Sequence, residues 1–157
     1  MQIFEVANTA RHYEDAKILF LEYANSLNFD LCFQNFDKEI ADLKGEYTNN
    51  GGCILLCYEN NIAAGCVGLR RLENNICEMK RLYLRNEFRG TGIGRKLAEK
   101  IIDKATEFGY EKMRLDTIDT MKEAISLYKK LGFIEIKPYR ENPVAGAIYM
   151  ELVLNSE

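Results

Sequence analysis

Arg89-Gly90-Thr91-Gly92-Ile93-Gly94 lies between a strand-like run, Ile76 to Leu84, and an amphipathic run that reaches about Phe108. Three glycines alternate at 90, 92 and 94. Glycine lets a backbone approach a ligand closely and take positive φ. The start of a helix adds unpaired N–H groups and a partial positive charge. Together they make a cradle for phosphate, and Arg89 and Arg95 add direct charge. A dinucleotide fingerprint would need glycine at 95 or 97, where Arg95 and Leu97 stand, so nicotinamide and flavin are disfavoured. The G-x-x-x-x-G-K-[ST] spacing of a nucleotide-triphosphate loop is absent. A glycine-rich turn without a ligand is the bland alternative.

Working outward, Ile93, Leu97, Ile101, Ala105 and Phe108 mark the buried stripe of the helix after the loop, and Gly109 stops it. Upstream, Ile3 to Val6 reads as a strand and Arg11 to Asn25 as a helix capped by Thr9, with Ile18, Leu19 and Tyr23 at helical spacing. Phe36 to Leu43 reads as a second short helix. Cys53 to Tyr58 and Ile62 to Leu69 form a hairpin across Glu59-Asn60-Asn61. Downstream, Lys112 to Thr117 is a strand and Met121 to Leu131 a helix ended by Gly132. Phe133 to Lys137 and Ala147 to Leu154 are closing strands. The strand, loop, helix and strand around the glycines require a crossover and a parallel pair, whereas the hairpins are antiparallel. The expected fold class is therefore α/β (α+β) with a mixed sheet, about seven strands and about four helices, in one domain over residues 1–157.

Three segments in this order resemble the GNAT acetyltransferase superfamily. Arg89 to Gly94 matches its Q/R-x-x-G-x-G/A motif. Glu78-Met79-Lys80-Arg81-Leu82-Tyr83-Leu84 resembles its fourth strand. Ala124-Ile125-Ser126-Leu127-Tyr128-Lys129-Lys130-Leu131-Gly132-Phe133 resembles its A-x-x-L-Y-x-x-x-G-F segment. The likeness covers roughly residues 53 to 154. It implies an acetyl-CoA co-substrate and a splayed sheet, in which the strand before the loop and the strand Lys112 to Thr117 part for the pantetheine arm. It implies that backbone groups of Leu82, Tyr83 and Leu84 hold pantetheine, and that Arg89, Gly90, Thr91, Gly92, Ile93, Gly94 and Arg95 hold the pyrophosphate. Many relatives carry Asn where this chain has Met121, so the polar donor contact that the resemblance implies there lacks its usual side chain.

Acyl transfer to an amine sets the remaining requirements. A free alkylamine of pKa about 10.4 is almost wholly protonated at pH 7, a handicap of about 4–5 kcal/mol. A base removes it, and the departing thiolate needs a proton. Glu78, eleven residues before Arg89, is the candidate base, placed as in some GNAT enzymes. The alternative is a carboxylate paired with Lys80 or Arg81. Tyr128, where the family motif carries tyrosine, is the candidate acid, and the alternative is a core tyrosine. Arg70, Arg71 and Arg140 follow strands, so they either rim an acceptor pocket suited to a carboxylate-bearing amine or are ordinary surface charges. Asp116 and Thr117 end a strand that faces the expected splay.

The rest of the chain narrows the classes. It has 157 residues, of which 47% are hydrophobic, and a net charge of −3. The segment Met79 to Lys100 carries seven basic residues against Glu87 and Glu99. That suits a small anionic ligand or a solvated basic face, with no general reason to expect nucleic acid. No apolar run approaches membrane-spanning length. Met1 to Thr9 lacks the layout of a signal peptide, so a cytoplasmic location is expected. Five cysteines, Cys32, Cys53, Cys57, Cys66 and Cys77, fit packed thiols better than disulfides. The single histidine, His12, disfavours a zinc site and the His-dependent hydrolases, and no metal is expected. Two readings remain. One is an N-acetyltransferase for the primary amine of a small molecule, peptide or protein, with a homodimer compatible. The other is a catalytically silent acyl-CoA-binding or partner-binding domain on the same fold.

Overall fold

The computed structural model describes residues 1–27, 30–31 and 35–154. Cys32, one of the five thiols, lies outside them. The chain runs β1 (Gln2–Val6), α1 (Ala10–Ser26), α2 (Phe36–Ala41), α3 (Leu43–Thr48), β2 (Cys53–Glu59), β3 (Ile62–Glu73) and β4 (Ile76–Leu84). A short 3₁₀ turn (Asn86–Phe88) follows, then α4 (Ile93–Glu107), β5 (Lys112–Ile118), α5 (Lys122–Lys130), β6 (Ile134–Ile136) and β7 (Ala147–Val153).

The strands form one seven-stranded sheet in the order β1-β2-β3-β4-β5-β7-β6. Among the described residues only β4 and β5 are parallel neighbours, joined by the crossover through α4. The β2–β3 hairpin turns at Asn60 and Asn61, both with positive φ.

β2 shows why the sheet needs two covers. Its residues are buried on both faces, as expected of an inner strand. Cys53, Leu55 and Cys57 face a core shared with α4 and α5, whereas Ile54, Leu56 and Tyr58 face one shared with α1, α2 and α3. The α4 cover is the stripe read from the sequence, with Ile93, Leu97, Ala98, Ile101 and Ala105 buried. Phe108 does not belong to it. It caps the helix, is half-exposed, and sets its ring beside Tyr110. In α1 the buried face is Ala16, Leu19 and Phe20, and Ile18 points outward. Thr9 caps this helix by accepting the His12 N–H at 3.1 Å.

The reading of one short helix from Phe36 to Leu43 is incomplete. Asp42 interrupts it and starts α3, where its side chain accepts the Gly45 N–H at 3.0 Å. Asp42 thus acts as an N-cap that separates two helices.

Candidate active site

β4 and β5 pair over only three positions, Ile76 with Lys112, Cys77 with Met113 and Glu78 with Arg114. β5 then continues beside β7 to Ile118, and β4 continues beside β3 to Leu84. The fork between them opens into a cavity of about 690 Å³. Met79 to Leu84 line one wall and Leu115 to Ile118 the other. Tyr128 and Ala124 close it from α5, Tyr23 and Ser26 from α1, and Arg89 stands at the loop end. A volume in this range suits one extended organic ligand.

The wall contributed by β4 is irregular. Its register with β3 shifts between Cys66 and Gly68, opposite Lys80 to Tyr83, and Arg81 takes a φ of 60°. A non-glycine residue at such φ costs about 1–3 kcal/mol and persists only where its surroundings impose it. Here the guanidinium is buried and clamped by Glu39 of α2, Nε to Oε2 at 3.1 Å and Nη2 to Oε1 at 2.8 Å. Tyr47 of α3 donates to the same carboxylate at 2.8 Å. Burial pushes the Glu39 carboxyl up. The hydrogen bonds and charge of Arg81, with Lys80 and Tyr47, more than offset that and hold it below its ordinary range.

At the loop, Gly90 and Gly92 take φ of 80° and 83°, and a Cβ built on either meets nothing within 4 Å. The backbone is bare and open where a bulky anion would approach it. Gly92 begins α4 without a side-chain cap, and the first intrahelical donor there is Lys96 N–H, bonded to Gly92 O at 3.1 Å. The amides of Ile93, Gly94 and Arg95 lie before that bond and are free to point at a ligand. Arg89 donates from Nε to Leu84 O at 3.2 Å, and Thr91 donates to Phe88 O at 2.5 Å, so the loop is braced on itself. Arg95 pairs loosely with Glu99 on the exposed face of α4. These groups fit a pyrophosphate. Leu82, Tyr83 and Leu84 lie along the cavity behind it.

The two candidate catalytic residues sit differently. Tyr128 is buried on the cavity wall, its ring edge-on to Phe133 at 5.7 Å. Its hydroxyl makes no hydrogen bond among the described residues, and burial raises its pKa, so it stays protonated. Glu78 lies beneath the wall rather than on it. Its carboxylate accepts hydrogen bonds from Tyr139 at 2.7 Å and from Arg140, and Lys80 Nζ lies 3.6 Å away. Burial pushes the Glu78 carboxyl up, but Lys80, Arg140 and the Tyr139 hydrogen bond hold it below the ordinary range.

The sequence marked Lys80 as one charge of the basic segment and as an alternative partner of Glu78, and the structure makes that pair. Lys80 is buried, and it lines the cavity. Burial drives its pKa down from 10.5, Glu78 opposes this, and Arg81 and Arg70 push it further, to about 8. The basic segment is accordingly no single solvated face. Lys80, Arg81 and Arg85 have carboxylate partners in Glu78, Glu39 and Glu22. Asp116 and Thr117 reach the cavity, as does Met121, whose sulfur accepts from Thr117 at 3.5 Å. Arg70 turns to Glu46, and Arg71 lies over the Tyr110 ring. His12 ties β1 to α1: Nε2 meets Glu5 at 2.6 Å and Nδ1 accepts the Asn8 N–H. Among the described residues no group of three or more metal-ligating side chains occurs, and no helix is long and apolar enough to cross a membrane.

A sheet forked around a cavity that reaches Arg89, with the bare glycines 90 and 92 just beyond that residue rather than on the cavity wall, is an arrangement that suits an acyltransferase. Residues 11–133 match the family model described as Acetyltransferase (GNAT) family. An uncharacterised N-acetyltransferase of Schizosaccharomyces pombe is 40% identical over 144 residues, covering 90% of this chain and 88% of that one. A GNAT-family acetyltransferase of Staphylococcus aureus superposes with a TM-score of 0.83 at 24% identity, over 99% of this chain and 100% of that one. The phosphinothricin acetyltransferase of Sinorhizobium meliloti, solved with acetyl-CoA, gives a TM-score of 0.76 at 18% identity, over 98% and 88%. The chain belongs to the GNAT acetyltransferase family, and its activity is that of an N-acetyltransferase.

Proposed function

We propose that the protein transfers the acetyl group of acetyl-CoA directly to the primary amine of a small molecule or peptide, within the cavity between β4 and β5. The observation that carries this is the fork itself. Pairing stops at Glu78 and Arg114, and the opened strand edges line a cavity that ends at Arg89. The loop amides and Arg89 take the pyrophosphate, and the edge of Leu82 to Leu84 takes the pantetheine arm. The thioester then falls beside Tyr128.

Tyr128 is the acid in this reading. Tyr128 lines the cavity, and its protonated hydroxyl makes no competing hydrogen bond among the described residues, which suits donation to the departing thiolate. Glu78 supplies the fixed negative charge of the base side. Being under the wall and held by Tyr139 and Arg140, it acts on the cavity through Lys80. The site of action is the cytoplasm, where buried free thiols such as Cys53, Cys57, Cys66 and Cys77 stay reduced.

The test is thiol release from acetyl-CoA with a panel of primary amines, small and peptidic, alongside calorimetry of acetyl-CoA binding. Turnover with at least one amine is expected. Binding without turnover across the panel would point instead to a silent acyl-CoA-binding domain, and absence of binding would sink both readings.

A further inference from the structure

Lys80 and Glu78 are two residues apart on β4, so both point to the same face of the strand. Only Lys80 reaches the cavity, and its side chain is 3% exposed. Glu78 already has Arg140 and Tyr139 as partners, so Lys80 is not needed merely to neutralise it. A buried primary amine on the wall where an acyl group is handed to another amine has a chemical use. Given the acetyl-transfer reading above, on which this rests, we propose that neutral Lys80 is the base that takes the proton from the attacking amine.

The acceptor nitrogen forms its bond to the thioester carbon, and the carbon–sulfur bond breaks. The acceptor enters as the free amine, having left its ammonium proton to solvent, and on attack one further proton passes from its nitrogen to Lys80 Nζ, making that an ammonium. The sulfur receives its proton from Tyr128 Oη. Solvent then restores both groups. The base works from β4 and the acid from α5, so the two protons travel at different walls of one cavity.

The surroundings of Lys80 make the role workable. With a pKa of about 8, about a tenth of the side chain is neutral at pH 7, against well under a thousandth for an ordinary lysine. Lysine tuned to this range is a competent general base. Arg81 on the same strand and Arg70 of β3 favour the neutral form, while Glu78 and Glu39 of α2 oppose it. Tyr139 and Arg140, from the segment between β6 and β7, bear on it through Glu78. Asp116 of β5, Tyr23 of α1 and Tyr128 of α5 face the same cavity. Glu78 therefore serves as a positioning residue whose charge keeps Lys80 from falling further.

Two measurements on the full chain test this. The first follows the Lys80 Nζ by NMR in protein carrying isotope-labelled lysine, with Lys80→Met used to assign the signal. A titration near 8 is expected, moving to lower pH in Glu78→Gln. The second follows kcat against pH at saturating acetyl-CoA and the most active amine of the panel. Lys80→Met should lose about 10²–10⁴-fold in kcat while acetyl-CoA affinity by calorimetry is unchanged. Lys80→Arg keeps the cation but cannot give up its proton, so it should be as slow. Glu78→Gln should remain active and shift the acidic limb to lower pH. Recovery of the rate by Lys80→Arg, or a Lys80 that titrates at about 10 or above, would overturn the proposal and leave the acetyl-transfer reading standing. So would loss of activity in Glu78→Gln with Lys80→Met unaffected. A wild-type protein that binds acetyl-CoA but acetylates no amine would remove that reading and this proposal together.

Discussion

Glu78 and Arg114 are the last parallel pair between β4 and β5, and the cavity begins one residue further on, at Met79 and Leu115. The pair is anchored on both sides. Arg114 reaches from β5 to Glu151 of β7 at 2.8 Å, and Glu78 gathers Tyr139, Arg140 and Lys80 beneath the wall. Charged residues are thus concentrated where a continuous sheet would otherwise close. Beyond this pair each strand stays in the sheet through its other edge, β4 beside β3 and β5 beside β7.

Acetyl-CoA should raise the melting temperature, because a ligand that binds only the native state stabilises it. At a hundredfold excess over Kd the gain is about 2.7 kcal/mol. NAD and ATP, whose fingerprints the loop lacks, should leave the melting temperature unchanged. Differential scanning fluorimetry with each ligand decides. A shift by NAD equal to that by acetyl-CoA would mean that the loop reads phosphate alone.

Gly92→Val should raise the apparent KM for acetyl-CoA by about tenfold or more, equivalent to about 1.4 kcal/mol of binding, with a smaller effect on the amine. The space beside Gly92 is open, and a β-branched side chain would fill it. The φ of 83° would also strain valine. Steady-state kinetics with each substrate varied in turn provides the check. An unchanged donor KM in a folded variant would show that the pyrophosphate lies elsewhere.

What was legible in the sequence was local. The alternating glycines, the 3.6-residue stripe of α4 and the Asn60-Asn61 turn are each written in adjacent residues. The fork at Glu78 came only through resemblance, since no single residue type announces where two strands part. The burial of Lys80 and Arg81 was not legible at all. Arg81 meets Glu39 at a separation of 42 residues, and Arg85 meets Glu22 at 63, so their charges read as part of one basic segment, suited to an anionic ligand or a solvated face, with no sign of these partners. Arginine in the left-handed region is likewise imposed by the Glu39 clamp, not by arginine's own preference. The α2–α3 break was readable, because Asp42 three residues before Gly45 is a capping signal.

Glu39→Ala should destabilise the fold by about 3–5 kcal/mol, since it strands a buried guanidinium. Urea unfolding at pH 7 measures it. Arg81→Met in the same background should recover part of the loss by removing the orphaned charge. A single-variant cost below about 1 kcal/mol, the range of an exposed pair, would mean that Arg81 relaxes to solvent and that α2 does not hold the irregular wall of β4.

Stability should fall on the acid side in a defined window. Glu39 and Glu78 are both held below the ordinary carboxylate range when folded. Their contribution is therefore full above the unfolded value of about 4.3, and is lost as pH drops through the folded values. Urea unfolding between pH 7 and pH 3 should show the decline. Glu39→Gln should flatten it, because the amide has no proton to gain. An equal slope in wild type and variant would assign acid sensitivity to other carboxylates.

Tyr128→Phe separates packing from chemistry at one oxygen. The ring stands edge-on to Phe133, and phenylalanine preserves that contact and nearly all of the volume. The hydroxyl has no hydrogen-bond partner among the described residues, so its removal should shift the melting temperature little. If it protonates the departing thiolate, kcat should drop by about 10²–10⁴-fold while acetyl-CoA affinity stays near the wild-type value. The deficit should shrink with an acyl donor whose thiol has a lower pKa, because a more stable thiolate leaves with less help. That graded response matters, since a merely misplaced ring would slow good and poor leaving groups alike. A folded Tyr128→Phe protein that turns over at the wild-type rate would remove Tyr128 from the reaction and leave the thiolate to be protonated by water.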